Sequence, residues 1–127
     1  MVSSNKNYEL AFTEHPEYLY AELRGETISA DIVREYVDEL VAKCEETGIS
    51  RILLYRDIPV VLSGGQVFFT VTKGVDPLRG IKVALVNPYK ELAEMLKFGM
   101  TVGQNRGADY SYFDNVAEAT KWLLQDG

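Results

Sequence analysis

The order of apolar segments predicts an α/β fold with a mostly parallel sheet, and three observations carry that prediction. Residues 8–13 and 18–24 alternate apolar and polar with period two; the segments 52–55 and 82–86 are apolar runs of the kind buried on both faces of a sheet; stretches with helical spacing lie between and after them. The resulting order is β-β-α-β-α-β-α-β-α, with right-handed crossovers and the N-terminal hairpin at one edge.

The hairpin turns at Glu14-His15-Pro16-Glu17, and Gly25 closes its second strand. Ser29 is placed to cap a helix over 30–46. Val33, Tyr36, Val37, Leu40, Val41 and Cys44 fall on one helical face, Asp31 suits the positive end, and Gly48 supplies a left-handed stop. Arg34, Glu35, Asp38, Glu39, Lys43, Glu45 and Glu46 form the opposite face. Ile52-Leu53-Leu54-Tyr55 is the next strand, and Arg56-Asp57-Ile58-Pro59 ends the apolar run. The segment 63–74 is ambiguous, because its β-branched content suits a strand whereas its position between two buried strands suits a crossover helix. The helix is the expectation, with Ser63 at or near its cap.

After the strand over 82–86, Asn87-Pro88 reads as N-cap and first residue of a helix with Leu92, Met95, Leu96, Gly99 and Val102 on one face, ending near Gly107. Residues 110–113 form a last short strand. Asp114 is the expected cap of a final helix over 115–124, with Val116, Ala119 and Leu123 at helical spacing and Trp122 beside them. No linker or repeat interrupts the pattern, so 1–127 is expected to be one domain with its core in about 8–124.

The chain has 127 residues, 13 Lys+Arg and 19 Asp+Glu, for a formal net charge of −6. Phosphate neutralisation needs clustered cations, so this balance argues against a nucleic-acid partner. The charge is uneven: residues 1–48 carry net −7 and residues 49–127 net +1. An acidic helix face keeps a small protein soluble, and it also offers a docking surface to a basic partner. Residues 1–7 lack the apolar core of a signal peptide, and no run approaches the ~18 apolar residues of a membrane span. With one Cys there is no internal disulfide, and the expected location is the cytoplasm.

Catalytic chemistry finds little support. The one Cys, Cys44, falls on an apolar helix face, and the one His, His15, lies in a turn between carboxylates, so neither a metal site nor a nucleophilic pair is expected. Adjacent carboxylates such as Asp38-Glu39 and Glu45-Glu46 sit on a solvated face, where nothing desolvates them into general acids. Ser63-Gly64-Gly65 lacks the Gly-Lys-Ser/Thr of a phosphate-binding loop.

The chain resembles the STAS/SpoIIAA-like (STAS/SEC14-like) domain family, which includes bacterial anti-anti-sigma factors. The residues that carry the resemblance are Tyr20-x-x-Leu23-x-Gly25, Arg51-Ile52-Leu53-Leu54-Tyr55, Ile81-Lys82-Val83-Ala84-Leu85-Val86, Phe98, Asn105-Arg106-Gly107, and the closing set Phe113, Asp114, Ala119, Trp122 and Leu123. The resemblance implies a SpoIIAA-like fold and a non-enzymatic regulatory module that docks to partner proteins, with phosphorylation as a switch in some members and nucleotides or lipids proposed as ligands in others. The phosphorylated serine of the anti-anti-sigma members lies in an Asp-Ser-Ser/Thr-Gly run. Here Leu62-Ser63-Gly64-Gly65 keeps a Ser-Gly pair but lacks the Asp, the nearest being Asp57.

The functional expectation is therefore a regulatory or protein-interaction module without a cofactor. Glu35, Asp38, Glu39 and Asp57 are its candidate docking residues, and Ser63 its candidate phosphoacceptor. The alternative is a binder of a hydrophobic, lipid-like small molecule, with Phe68, Phe69, Phe98 and Met100 lining a pocket or, equally, a homodimer surface.

Overall fold

The computed structural model describes residues 2–5 as backbone, and residues 7–63, 65 and 78–125 in full. The sheet has six strands, β1 (Val2–Asn5), β2 (Tyr8–Glu14), β3 (Leu19–Arg24), β4 (Arg51–Asp57), β5 (Lys82–Val86) and β6 (Asp109–Phe113), in spatial order 1-2-3-4-5-6. β1, β2 and β3 pair antiparallel, and β3 to β6 pair parallel. The helices are α1 (Ala30–Thr47), α2 (Ala93–Gln104), preceded by a 3-10 turn at Lys90–Leu92, and α3 (Val116–Leu123).

This is the α/β class with a mixed sheet, and the four parallel strands are those expected. The edge differs: β1 lies outside the hairpin, with Val2 opposite Ala11 and Asn5 opposite Tyr8. The segment Val2-Ser3-Ser4-Asn5 is joined to the sheet by backbone pairing, which leaves no apolar alternation to read. The expected helix over 63–74, with Phe68 and Phe69, lies outside the described residues except for Ser63 and Gly65.

α1 forms as its sequence dictates. Ser29 Oγ accepts from the Ile32 amide at 3.2 Å, and Gly48 closes the helix at φ 75° with its amide on the Cys44 carbonyl at 2.8 Å. Two other boundaries move. Asn87 is no helix cap: only 2% exposed, it accepts from the Tyr89 amide at 2.8 Å and points its amide at the Ile58 carbonyl, 3.5 Å away. It makes a side-chain turn at the end of β5, and α2 begins five residues beyond Pro88. The final helix is capped by Asn115, whose Oδ1 accepts from the Glu118 amide at 2.8 Å; Asp114 lies one residue too early.

Strand parity divides the core into two layers. Leu19, Ala21, Leu23, Ile52, Leu54, Val83 and Leu85 face Ile32, Tyr36, Val37, Leu40 and Cys44 of α1, while Leu53, Ala84 and Val86 face Ala119 and Leu123 of α3. Each fully buried aliphatic side chain contributes about 1.5–3 kcal/mol through removal from water. Lys82 ties the second layer down, donating from Nζ to the carbonyls of Trp122 and Gln125, each at 2.9 Å, with its charge 4.4 Å from the Trp122 ring centroid. A cation there also opposes the negative end of α3.

Candidate functional site

The first layer borders a cavity of about 140 Å³, open on one side, between the sheet, α1 and α2. Leu54, Val83 and Leu85 line it from the sheet, Val33 and Val37 from α1, and Met100 from α2. Aliphatic and sulfur-bearing walls make it apolar, and its size suits a group comparable to benzene.

Among the described lining residues, one charged side chain interrupts those walls. Arg56 also lines the cavity, although it is only 4% exposed. Its position follows from strand parity: Ile52, Leu54 and Arg56 alternate along β4 with Leu53 and Tyr55, so Arg56 shares the inner face with two core aliphatics. Its guanidinium donates to the Ile58 carbonyl from Nη1 at 3.1 Å and to the Val60 carbonyl from Nη2 at 2.7 Å, and it is hydrogen-bonded to the Tyr36 hydroxyl. No carboxylate among the described residues pairs with it. Burial accordingly pulls the guanidinium below its ordinary pKa, with Tyr36 opposing the shift.

Two tyrosines accompany the charge at the cavity. Burial raises Tyr36, and Arg56 partly offsets that; Tyr110, on β6, is pushed up to about 12, chiefly by burial. Both therefore stay protonated hydroxyls at neutral pH. The arrangement combines an apolar chamber, one buried cation and two hydroxyls.

A second, polar cleft lies at the C-terminal ends of β3 and β4, where Arg24, Asp57 and Tyr89 meet. Tyr89 Oη donates to Asp57 Oδ1 at 2.9 Å, which raises the phenol above its ordinary pKa. Asp57 is thus part of this cleft, whereas Glu35, Asp38 and Glu39 belong to α1. Glu35 and Asp38 are exposed; Glu39 is half-buried and accepts a hydrogen bond from the Tyr8 hydroxyl. The four acidic residues are divided between two elements.

The apolar candidates also part. Met100 lines the cavity, while Phe98 is 43% exposed and is not among its lining residues. Ser63 is exposed. Cys44 is buried, and desolvation pushes its thiol up to about 11, so it is protonated and unreactive at neutral pH. His15 stacks on Tyr18 with ring centroids 4.5 Å apart. Among the described residues no cluster of three or more His, Cys, Asp or Glu is arranged to hold a metal, and no helix is long and apolar enough to cross a membrane.

Sequence reasoning missed Arg56, Tyr36 and Tyr110 as a group. The signal for Arg56 was present in the parity of β4, since a residue two beyond Leu54 must face the same way; the polar run Arg56-Asp57 reads instead as the end of the strand. Tyr110 is brought to the cavity by β6, on the far side of β5, a relation that local spacing does not reveal.

Neither a scan against models of known protein families nor a search of curated proteins gives a match.

Proposed function

We propose that this protein is a non-enzymatic binding module whose ligand is a small apolar molecule held between the sheet, α1 and α2. The observation that supports this reading is the 140 Å³ cavity, with aliphatic walls contributed by three separate elements. Between the two expectations from sequence, regulatory docking and apolar-ligand binding, this geometry favours the second. The residues that resemble the STAS/SpoIIAA-like family agree with a regulatory role, in which ligand occupancy is what the module reports. A cytoplasmic location fits that role.

The test is direct. The protein is titrated with small neutral apolar probes, 1-hexanol and indole, and binding is followed by ligand-observed NMR alongside Val33→Phe, which adds an aromatic ring to the cavity wall. Saturable binding by the wild-type protein and its loss in Val33→Phe support the reading. Absence of binding by every probe, or equal binding by the variant, overturns it.

A protein partner is the second reading, and the exposed carboxylates of Glu35 and Asp38 on α1 favour it. Under this reading a basic protein partner is held by wild-type protein and lost by Glu35→Lys/Asp38→Lys, with Glu39, already bonded to Tyr8, contributing less. Ser63 phosphorylation, and a homodimer through Phe98, remain subsidiary proposals of this reading; each is tested by intact mass and by sedimentation, respectively.

A further inference from the structure

We propose that Arg56 is the anion receptor of the cavity, and that the ligand is a monocarboxylic acid whose apolar body is about the size of a benzene ring. This rests on the reading of the cavity as a ligand site and names the chemistry of its occupant.

Arg56 is the starting point. A guanidinium carries five N–H donors, and the structure accounts for three partners: the carbonyls of Ile58 and Val60 and the hydroxyl of Tyr36. All three are neutral. A buried cation without a counter-ion is costly, because carbonyl and hydroxyl dipoles only partly replace its hydration. The described residues supply no carboxylate to complete it. At the same time its side chain lines a cavity whose other walls are largely aliphatic. An anion entering that cavity meets, among the described lining residues, one charge able to neutralise it, in surroundings where water screens less than in bulk.

Charge and volume then select the class. One cation balances one negative charge; a phosphate monoester, close to a dianion at neutral pH, would leave net charge in an apolar chamber. A carboxylate matches the planar fork of a guanidinium and brings a single charge. The apolar remainder is limited by the 140 Å³ of space, which corresponds to roughly six carbon atoms by comparison with a benzene-binding cavity. Short-chain alkanoic acids and benzoic acid satisfy both limits. A long-chain fatty acid or a phospholipid would have to leave most of its apolar chain outside this space.

The experiment compares isosteric pairs. Hexanoate and benzoate are titrated calorimetrically into wild-type protein alongside 1-hexanol and benzyl alcohol, which keep the apolar body and remove the charge. The expected result is that each acid binds at least about tenfold more tightly than its alcohol, as hydrogen bonds to a charged partner require. In Arg56→Met the acid is expected to lose that advantage while the alcohol keeps its affinity; Arg56→Lys retains part of it. Equal affinity of acid and alcohol in the wild-type protein overturns the assignment of Arg56 and leaves the apolar site standing. Failure of both acid and alcohol overturns the site itself. The wild-type comparison needs no variant, so it decides the question even if Arg56→Met does not fold.

Discussion

The Tyr110 ring occupies the space into which any side chain at Gly103 would project. A Cβ added at Gly103 would overlap Oη, Cζ and Cε1 of Tyr110, so β6 approaches α2 as closely as a glycine allows. The same approach brings Tyr110 to the cavity wall. Gly103→Ala is therefore expected to destabilise the protein by about 1–3 kcal/mol through overpacking, although alanine is the better helix former. Urea denaturation measures it. In a double-mutant cycle with Tyr110→Ala the two losses are expected to fall short of additivity, because removing the ring removes the overlap; strict additivity would show that the two residues do not meet.

The helix caps give a sharper test because two adjacent polar residues compete for one role. Asn115 bonds the Glu118 amide, and Asp114 stands outside the helix. Asn115→Ala is expected to cost about 1 kcal/mol and Asp114→Ala less than about 0.5 kcal/mol. Ser29→Ala, at the start of α1, is expected to match Asn115→Ala, since its hydroxyl caps the Ile32 amide. A larger loss for Asp114→Ala than for Asn115→Ala would move the start of α3.

What the sequence made legible was what periodicity and local turn chemistry encode. The hairpin strands, α1 with Ser29 and Gly48 at its ends, and β5 are all stated by apolar spacing or by one residue in a special conformation. Asn87 and Asp114 mark where that reasoning stops: Asn and Asp side chains bond their own backbone in turns and in caps alike, and tertiary contact decides which. The site was less legible than the fold. Met100 lines the cavity, but the charge that distinguishes this cavity arrives through β4 parity, and its hydroxyl neighbours come from α1 and β6. A pocket gathered from distant segments leaves no local motif.

Burial of the Cys44 thiol has a consequence for alkaline stability. Its pKa rises from 9.0 to about 11 on folding. An unfolded chain therefore releases this proton first as pH rises, and the stabilisation held below about pH 9 is lost progressively between about pH 9 and pH 11. Tyr110, raised from 10.0 to about 12, extends the decline over the following unit. The midpoint of urea unfolding is expected to fall across this window, and Cys44→Ala, though less stable at neutral pH, is expected to fall less steeply between pH 9 and pH 10. Parallel slopes for the two proteins would show that Cys44 does not contribute. Iodoacetamide should leave the native thiol unmodified at pH 8 and alkylate it in urea.

Arg56 supplies the last prediction, which concerns why the residue is there. Were the guanidinium a structural strut, its removal would cost the 3–5 kcal/mol of a broken buried charge network. The geometry indicates otherwise: the charge has no carboxylate among the described residues, and both carbonyls it bonds have other recourse. The Ile58 carbonyl lies 3.5 Å from the Asn87 amide, and Val60 is exposed to water. Arg56→Met, which keeps the length and removes the charge but leaves the buried Tyr36 hydroxyl without this partner, is therefore expected to cost no more than about 1–2 kcal/mol. Tyr36→Phe is expected to lower stability by about 1–3 kcal/mol, because it leaves the buried cation with one partner fewer. Thermal and urea unfolding of the two variants decide it, and a loss above about 3 kcal/mol for Arg56→Met would make Arg56 a structural residue. A cation this deeply buried among neutral partners, if the fold tolerates its removal, is what a residue kept for binding predicts.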